Sequence, residues 1–547
     1  MFEEPLFQDN ILPTMYKFFS HYLSYQNWAW QYLAAMCFLY ILYKLLMYKN
    51  TVTYPPFFPN EKYTFSFSKT TDKLGLFFLL LCFVFYVWGL YSQEMSFFSN
   101  YDTRAMANIK NLLYGVTPMW GTFGRFAPVS FADINIIYAL THNFIIINLY
   151  IITQIILLTY LLYKLLNFIT AAKRFLIIGL FLISPVFLGT NNIIFPERML
   201  LIYFISSLLC LKKFNEQQNN TSLWWGIFFM NLAIYTKEST ILIYLGILVY
   251  SFLYNLWHEK IKLTSFLHPI KTMQQFPLEV LIFISMLIYA LLYLLYIYAI
   301  TDNIYVASHQ SNNLLEMIMT YKLELFLISI AIITLLSTKK NTFISNSLMI
   351  GGIITTYVVI CVLKLSTTIY PGNYFLCIPT TLALIIIFYH LKSKFLIFIL
   401  SSFLCIIFIY KDYIIHNSQN GKEYRTICEY LTSNQSDNIP LFIAKHSEHH
   451  HSSQWFVKTW SSILKYYFPN KKITIISPQF SQSNPIDIEL WNMSPLYYPL
   501  IYRENPQSGD FYIIKKTDKY TDDLSVIKDM KHELIYQNKL FEVYKIK

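Results

Sequence analysis

Apolar residues gather in long runs over the first three quarters of the chain and thin out abruptly near residue 411. A helix crossing about 30 Å of hydrocarbon needs roughly 20 largely apolar residues. Twelve runs of that kind, some shorter, begin near residues 28, 74, 144, 175, 199, 223, 240, 279, 322, 343, 375 and 395. Short ones such as Met199 to Leu211 fit a bilayer by borrowing neighbouring polar residues or by local thinning. The pattern predicts a polytopic α-helical membrane protein with about twelve transmembrane helices over residues 1–410. The connection at 92–135 is too long for a simple turn, and is expected to be functional or to have structure of its own. No cleavable leader is expected, because Glu3, Glu4 and Asp9 stand where a basic stretch belongs.

Over 411–547 the pattern changes period. Short apolar runs at Pro440 to Ala444, Ile473 to Ser477 and Phe511 to Ile514 read as strands, and Leu534 to Ile546 as a hairpin turning at Asn538 and Lys539. Trp455, Phe456, Trp460, Ile463, Leu464 and Tyr467 have helical spacing within Ser452 to Phe468. These segments predict a small C-terminal α/β domain, large enough for its own core.

Composition agrees with the pattern. Of 547 residues, 55% are hydrophobic and 13% charged, about half the charge of a soluble domain, which disfavours disorder, a fibrous repeat and an ordinary water-soluble enzyme. The seven cysteines imply neither a disulfide framework nor a zinc cluster, since six lie within apolar runs. The net charge of +11 is informative through its placement. With the N-terminus outside, the inner loops hold 17 Lys and Arg and the outer loops 8, a bias that favours this orientation. The C-terminal domain is then extracytoplasmic.

Ionisable groups near membrane-embedded segments are costly and mark sites or paired contacts. The expected topology gathers four sets on the outer face: Asp102 and Arg104; Gly124-Arg125-Phe126-Ala127-Pro128; Glu197-Arg198; and Lys237-Glu238, with Tyr370 to Tyr374 nearby. A carboxylate in a desolvated setting can act as general base on a hydroxyl, and Asp102 is the candidate. Arg and Lys suit a phosphate, which nominates Arg198 and Lys237, with Arg104 and Arg125 behind them. Glu197, Glu238 and Tyr374 are supporting candidates.

This arrangement resembles the integral-membrane glycosyltransferases of the C-type (GT-C) fold, which use polyprenyl-phosphate sugars as donors. The features are the many spans, an acidic residue opening the first large outer loop (Asp102), the Gly124 to Pro128 element, Lys237-Glu238 between spans, Tyr374-Phe375 ahead of Pro379, and an outer C-terminal domain. Loop-one acids are often paired in that family, whereas Asp102 follows Tyr101. The resemblance implies sugar transfer from a polyprenyl-phosphate donor to an outer-leaflet glycolipid, cell-envelope polysaccharide or protein acceptor, with acceptor activation falling on Asp102. A flippase or transporter for lipid-linked oligosaccharides, or a glycan polymerase or ligase, is the alternative. The sequence requires no cofactor and supports no metal assignment, and nothing in it points to nucleic acid.

Each residue also has a plainer role open to it. Asp102 suits the N-cap of a helix over 103–113. Arg125 suits snorkelling to headgroups. Glu197, Arg198, Lys237 and Glu238 suit interhelical pairing, and Tyr370 to Tyr374 an interfacial aromatic belt. His446, His449, His450 and His451 with Glu448 lie in a polar stretch where a solvated loop is favoured over a metal site. Asn434-Gln435-Ser436 matches a glycosylation acceptor, which acts only in a compartment that glycosylates.

Overall fold

The structure is a computed structural model. It describes residues 28–47, 54, 57–59, 61–92, 129–130, 133, 136–137, 140, 144–188, 196–217, 219–257, 273–299, 314–338, 343–362, 376–418, 421–433, 438–444, 461, 464, 470–478, 498–516 and 520–547. Asp102, Arg104, Arg125, Tyr374, the Gly124 to Pro128 element, Asn434 to Ser436 and the His446 to His451 cluster lie outside the described residues. The chain separates into two compact units. One takes Met1–Gly89, Asn108–Asn191 and Phe195–Ile415, the other Leu90–Ala107, Asn192–Ile194 and His416–Lys547.

The larger unit is helical. Its elements are α1 (Trp28–Leu46), α2 (Thr70–Ser92), α3 (Phe144–Leu165), α4 (Ala171–Leu182), α5 (Pro185–Leu188), α6 (Glu197–Gln217), α7 (Asn220–Thr236), α8 (Thr240–Trp257), α9 (Pro277–Ala299), α10 (Leu314–Thr320), α11 (Lys322–Ser337), α12 (Phe343–Tyr357), α13 (Cys377–His390) and α14 (Lys394–Ser418). A helix stands at each of the twelve apolar runs. Among the described residues, five helical stretches are long and apolar enough to cross a membrane: Thr70–Tyr91, Ile145–Leu165, Pro277–Leu294, Ser345–Val362 and Lys394–Lys411. Three shorter apolar ones are Gln31–Leu46, Thr240–Tyr254 and Cys377–His390.

The faces of these helices fit a lipid solvent. Along α2, Leu79, Cys82, Tyr86 and Leu90 are buried while Leu74, Phe77, Leu80, Leu81, Val84 and Trp88 are exposed. Along α14, Phe395, Phe398, Phe403, Ile406 and Ile409 are exposed too. In water such surfaces would drive aggregation; against acyl chains they cost nothing, while the helix satisfies its own backbone.

Two features hold the bundle. Helices α8 and α12 touch backbone to backbone: a Cβ on Gly351 would stand 2.8 Å from the Ile243 Cα, and one on Gly246 would overlap the Gly351 backbone. Small residues permit this approach, and dispersion and close packing then hold helices that lipid does not push together. The second feature is cationic capping. Lys212 donates to the carbonyl of Leu165 at 3.1 Å, Lys173 to those of Phe388 and Leu391 at 3.3 and 2.6 Å, and Arg174 Nη1 to that of Tyr163 in the last turn of α3 at 3.4 Å. Carbonyls orphaned where helices end carry partial negative charge, so a cation there serves twice.

The smaller unit begins its regular structure with α15 (Gly421–Ser433), followed by β1 (Asn438–Ile443), β2 (Lys472–Ser477), β3 (Leu500–Tyr502), β4 (Phe511–Lys515), α16 (Tyr520–Ser525), β5 (His532–Gln537) and β6 (Phe541–Ile546). The sheet order is β3-β2-β1-β4-β6-β5, parallel from β3 to β4 and antiparallel through β6 and β5. Both faces are covered. Ile427, Cys428 and Leu431 of α15 pack with Ile439, Leu441 and Ile475 on one side, and Phe442, Ile476, Tyr512 and Ile527 cluster on the other. Burial on both faces explains why β1 and β4 read as unbroken apolar runs.

Candidate functional site

Helices α6 and α7 are antiparallel neighbours joined by a short link in which Asn219 caps α7, accepting from the Thr221 backbone at 3.1 Å. The first turn of α6 therefore lies beside the last turn of α7. Pro196 precedes α6, accepting from the Leu200 N–H at 2.8 Å, and Glu197 sits in the first turn, where a carboxylate faces the positive end of the helix dipole. Lys237 follows Thr236 in extended conformation, so its side chain departs where α7 stops. The two meet in a buried ion pair between Lys237 Nζ and Glu197 Oε1, the side chains 6% and 1% exposed. The second carboxylate oxygen, Oε2, is buried without a hydrogen-bond partner among the described residues.

Arg198, 2% exposed, is held from α3: its Nε donates to Gln154 Oε1 at 3.0 Å. Gln154 Nε2 donates in turn to Asp133 Oδ2 at 3.0 Å and to the Tyr150 hydroxyl at 2.7 Å. Tyr150 donates to the same Asp133 oxygen at 2.6 Å. The residues just ahead of Asp133 are fastened to the end of α7: Val129 N–H donates to the Tyr235 carbonyl at 3.1 Å, and the Ser130 hydroxyl to that of Thr236. Two cations and two carboxylates thus share the region where α3, α6 and α7 meet.

Beside the ion pair is a cavity of about 10 Å³ lined by Leu200, Lys237, Thr240, Thr355, Cys377 and Pro379. The Thr240 hydroxyl is buried and has no hydrogen-bond partner among the described residues. A lysine and an unsatisfied hydroxyl suit a water or a small polar group, and the volume is about that of one water.

Of the residues nominated from sequence, the structure brings Glu197, Arg198 and Lys237 together, with Glu238 adjacent in the chain and half-buried. The interhelical pairing considered for Glu197 and Lys237 is present. Asp133, Tyr150 and Gln154 were not nominated. The available signal was Gln154, one of three polar uncharged side chains, with Asn148 and Thr153, in the otherwise apolar and aromatic run Ile145 to Leu158. Among the described residues, no group of three His, Cys, Asp or Glu side chains is placed to hold a metal ion. No protein-family model and no curated protein matches the chain.

Proposed function

We propose that this chain is a membrane glycosyltransferase of the GT-C kind, moving a sugar from a polyprenyl-phosphate donor to an acceptor at the outer leaflet. The observation that carries the reading is the placement of two buried cations, Arg198 in the first turn of α6 and Lys237 at the end of α7, in one region of the bundle, where Lys237 also lines a small, mostly apolar cavity. Such cations stabilise the charge that collects on a departing phosphate, lowering the barrier more than they stabilise the bound donor. Glu197 holds Lys237 between turnovers, and Asp102 activates the acceptor hydroxyl. The charge bias of the loops supports an outward-facing site, N-terminus and C-terminal region. The remaining apolar helices complete a bundle of about twelve crossings.

The test is turnover of a polyprenyl-phosphate sugar by the purified full chain in vesicles, reading release of polyprenyl phosphate. Lys237→Met is expected to slow release by about 100-fold, the loss typical of one transition-state donor, and Asp102→Asn to abolish transfer to acceptor. Unchanged release by a correctly folded K237M would remove the phosphate assignment. Movement of intact donor across the bilayer without cleavage would replace the transferase with a flippase.

A further inference from the structure

Asp133 is an acid of the cluster that sequence reasoning passed over, and its chemistry constrains its neighbours in one direction. An ionised carboxylate only accepts hydrogen bonds, and a guanidinium only donates them. Gln154 stands between the two, so its amide has a single productive orientation: NH₂ toward Asp133, oxygen toward Arg198 Nε. Tyr150 fixes the same Asp133 oxygen from the next turn of α3, and Val129 and Ser130 tie the stretch of chain leading to Asp133 onto the end of α7. The carboxylate therefore reinforces the one rotation of the amide that presents its oxygen to Arg198, and the amide sets the edge by which Arg198 is held.

We infer that Asp133 is a positioning residue for an anion site: through Gln154 it orients the Arg198 guanidinium toward a phosphorylated isoprenoid. The inference rests on the phosphate reading proposed above and adds the group that makes Arg198 selective. Replacing Asp133 by Asn removes this reinforcement, because an asparagine both donates and accepts. With its own NH₂ turned to Gln154, the introduced asparagine competes with Arg198 for the single amide oxygen, which the carboxylate could never do. Replacing Gln154 by Glu as well reverses the polarity of the relay without breaking it. The amide now at position 133 donates to the carboxylate now at position 154, and that carboxylate accepts from Arg198. A residue that merely filled space would show no such reciprocity.

The experiment measures binding of farnesyl phosphate against farnesol, by the purified full chain in detergent, for wild type, D133N and D133N/Q154E. The wild type is expected to prefer the phosphate. D133N should lose about tenfold of that preference, the worth of one hydrogen bond to a charged group, and the double variant should recover most of it. Preference retained in folded D133N, or lost equally in both variants, overturns the role of Asp133 while leaving the phosphate reading in place. No preference in the wild type removes the phosphate reading itself, and the inference with it. Should D133N fail to fold, the double variant decides alone: wild-type preference supports the relay, and its loss overturns it.

Discussion

Glu197 and Lys237 show what a buried ion pair does to the residues that form it. Each charge is removed from water, and attraction within the pair offsets desolvation only while both partners are present. Glu197→Ala is accordingly expected to destabilise the helical unit by about 3 to 5 kcal/mol, because it removes the carboxylate that offsets the buried charge of Lys237. Glu197→Ala with Lys237→Met should cost less than Glu197→Ala alone. Thermal unfolding of the two variants in detergent measures this, and a double variant less stable than the single one would contradict it. Legibility at this scale follows a rule. Glu197, Arg198 and Lys237 stood out because charge is rare in apolar runs. Asp133 lay in a loop segment where an acid is unremarkable, and only its contacts with Tyr150 and Gln154 distinguish it.

At the scale of elements, apolar runs located the helices, since a membrane-facing helix needs little beyond length and hydrophobicity. Strands β1, β2 and β4 fall on the apolar runs read at 440–444, 473–477 and 511–514, and the β5–β6 turn contains Asn538 and Lys539. The turn was legible because Asn538 carries its chemistry in its side chain, which accepts from the backbone of Leu540 and Phe541 at 3.0 and 2.7 Å. Strand β3 escaped notice because three residues at a sheet edge leave no period to read. Packing between helices was equally silent: nothing in the sequence pairs Gly246 with Gly351. Their contact yields a sharp expectation. Gly351→Val should force α8 and α12 apart, costing about 1 to 3 kcal/mol as over-packing does, whereas Gly352→Val, whose Cβ would meet Pro379 only at 3.7 Å, should be milder. Comparing the unfolding temperatures of the two variants checks the pairing.

For the whole molecule, the smaller unit also takes Leu90–Ala107 and Asn192–Ile194, but its two apolar clusters lie wholly within residues 424–546, so a fragment of residues 419–547 is expected to fold alone. Cys428 is the single cysteine in that stretch and is fully buried; burial pushes its thiol well above the ordinary range. The thiolate is the reactive form, so the isolated fragment should resist alkylation in buffer and become reactive only as urea unfolds it. The alkylation midpoint should coincide with loss of circular dichroism, and rapid labelling in buffer would show that the sheet does not form unaided. A last consequence concerns Lys173, Arg174 and Lys212. Because each grips the carbonyl end of a neighbouring helix, removing its charge would weaken the assembly before it altered which way the protein is threaded. Exposed Lys392 and Lys394 are therefore the positions at which neutralisation interrogates orientation cleanly, and a chain inverted by K392Q/K394Q with its helices intact would show the loop charges directing insertion.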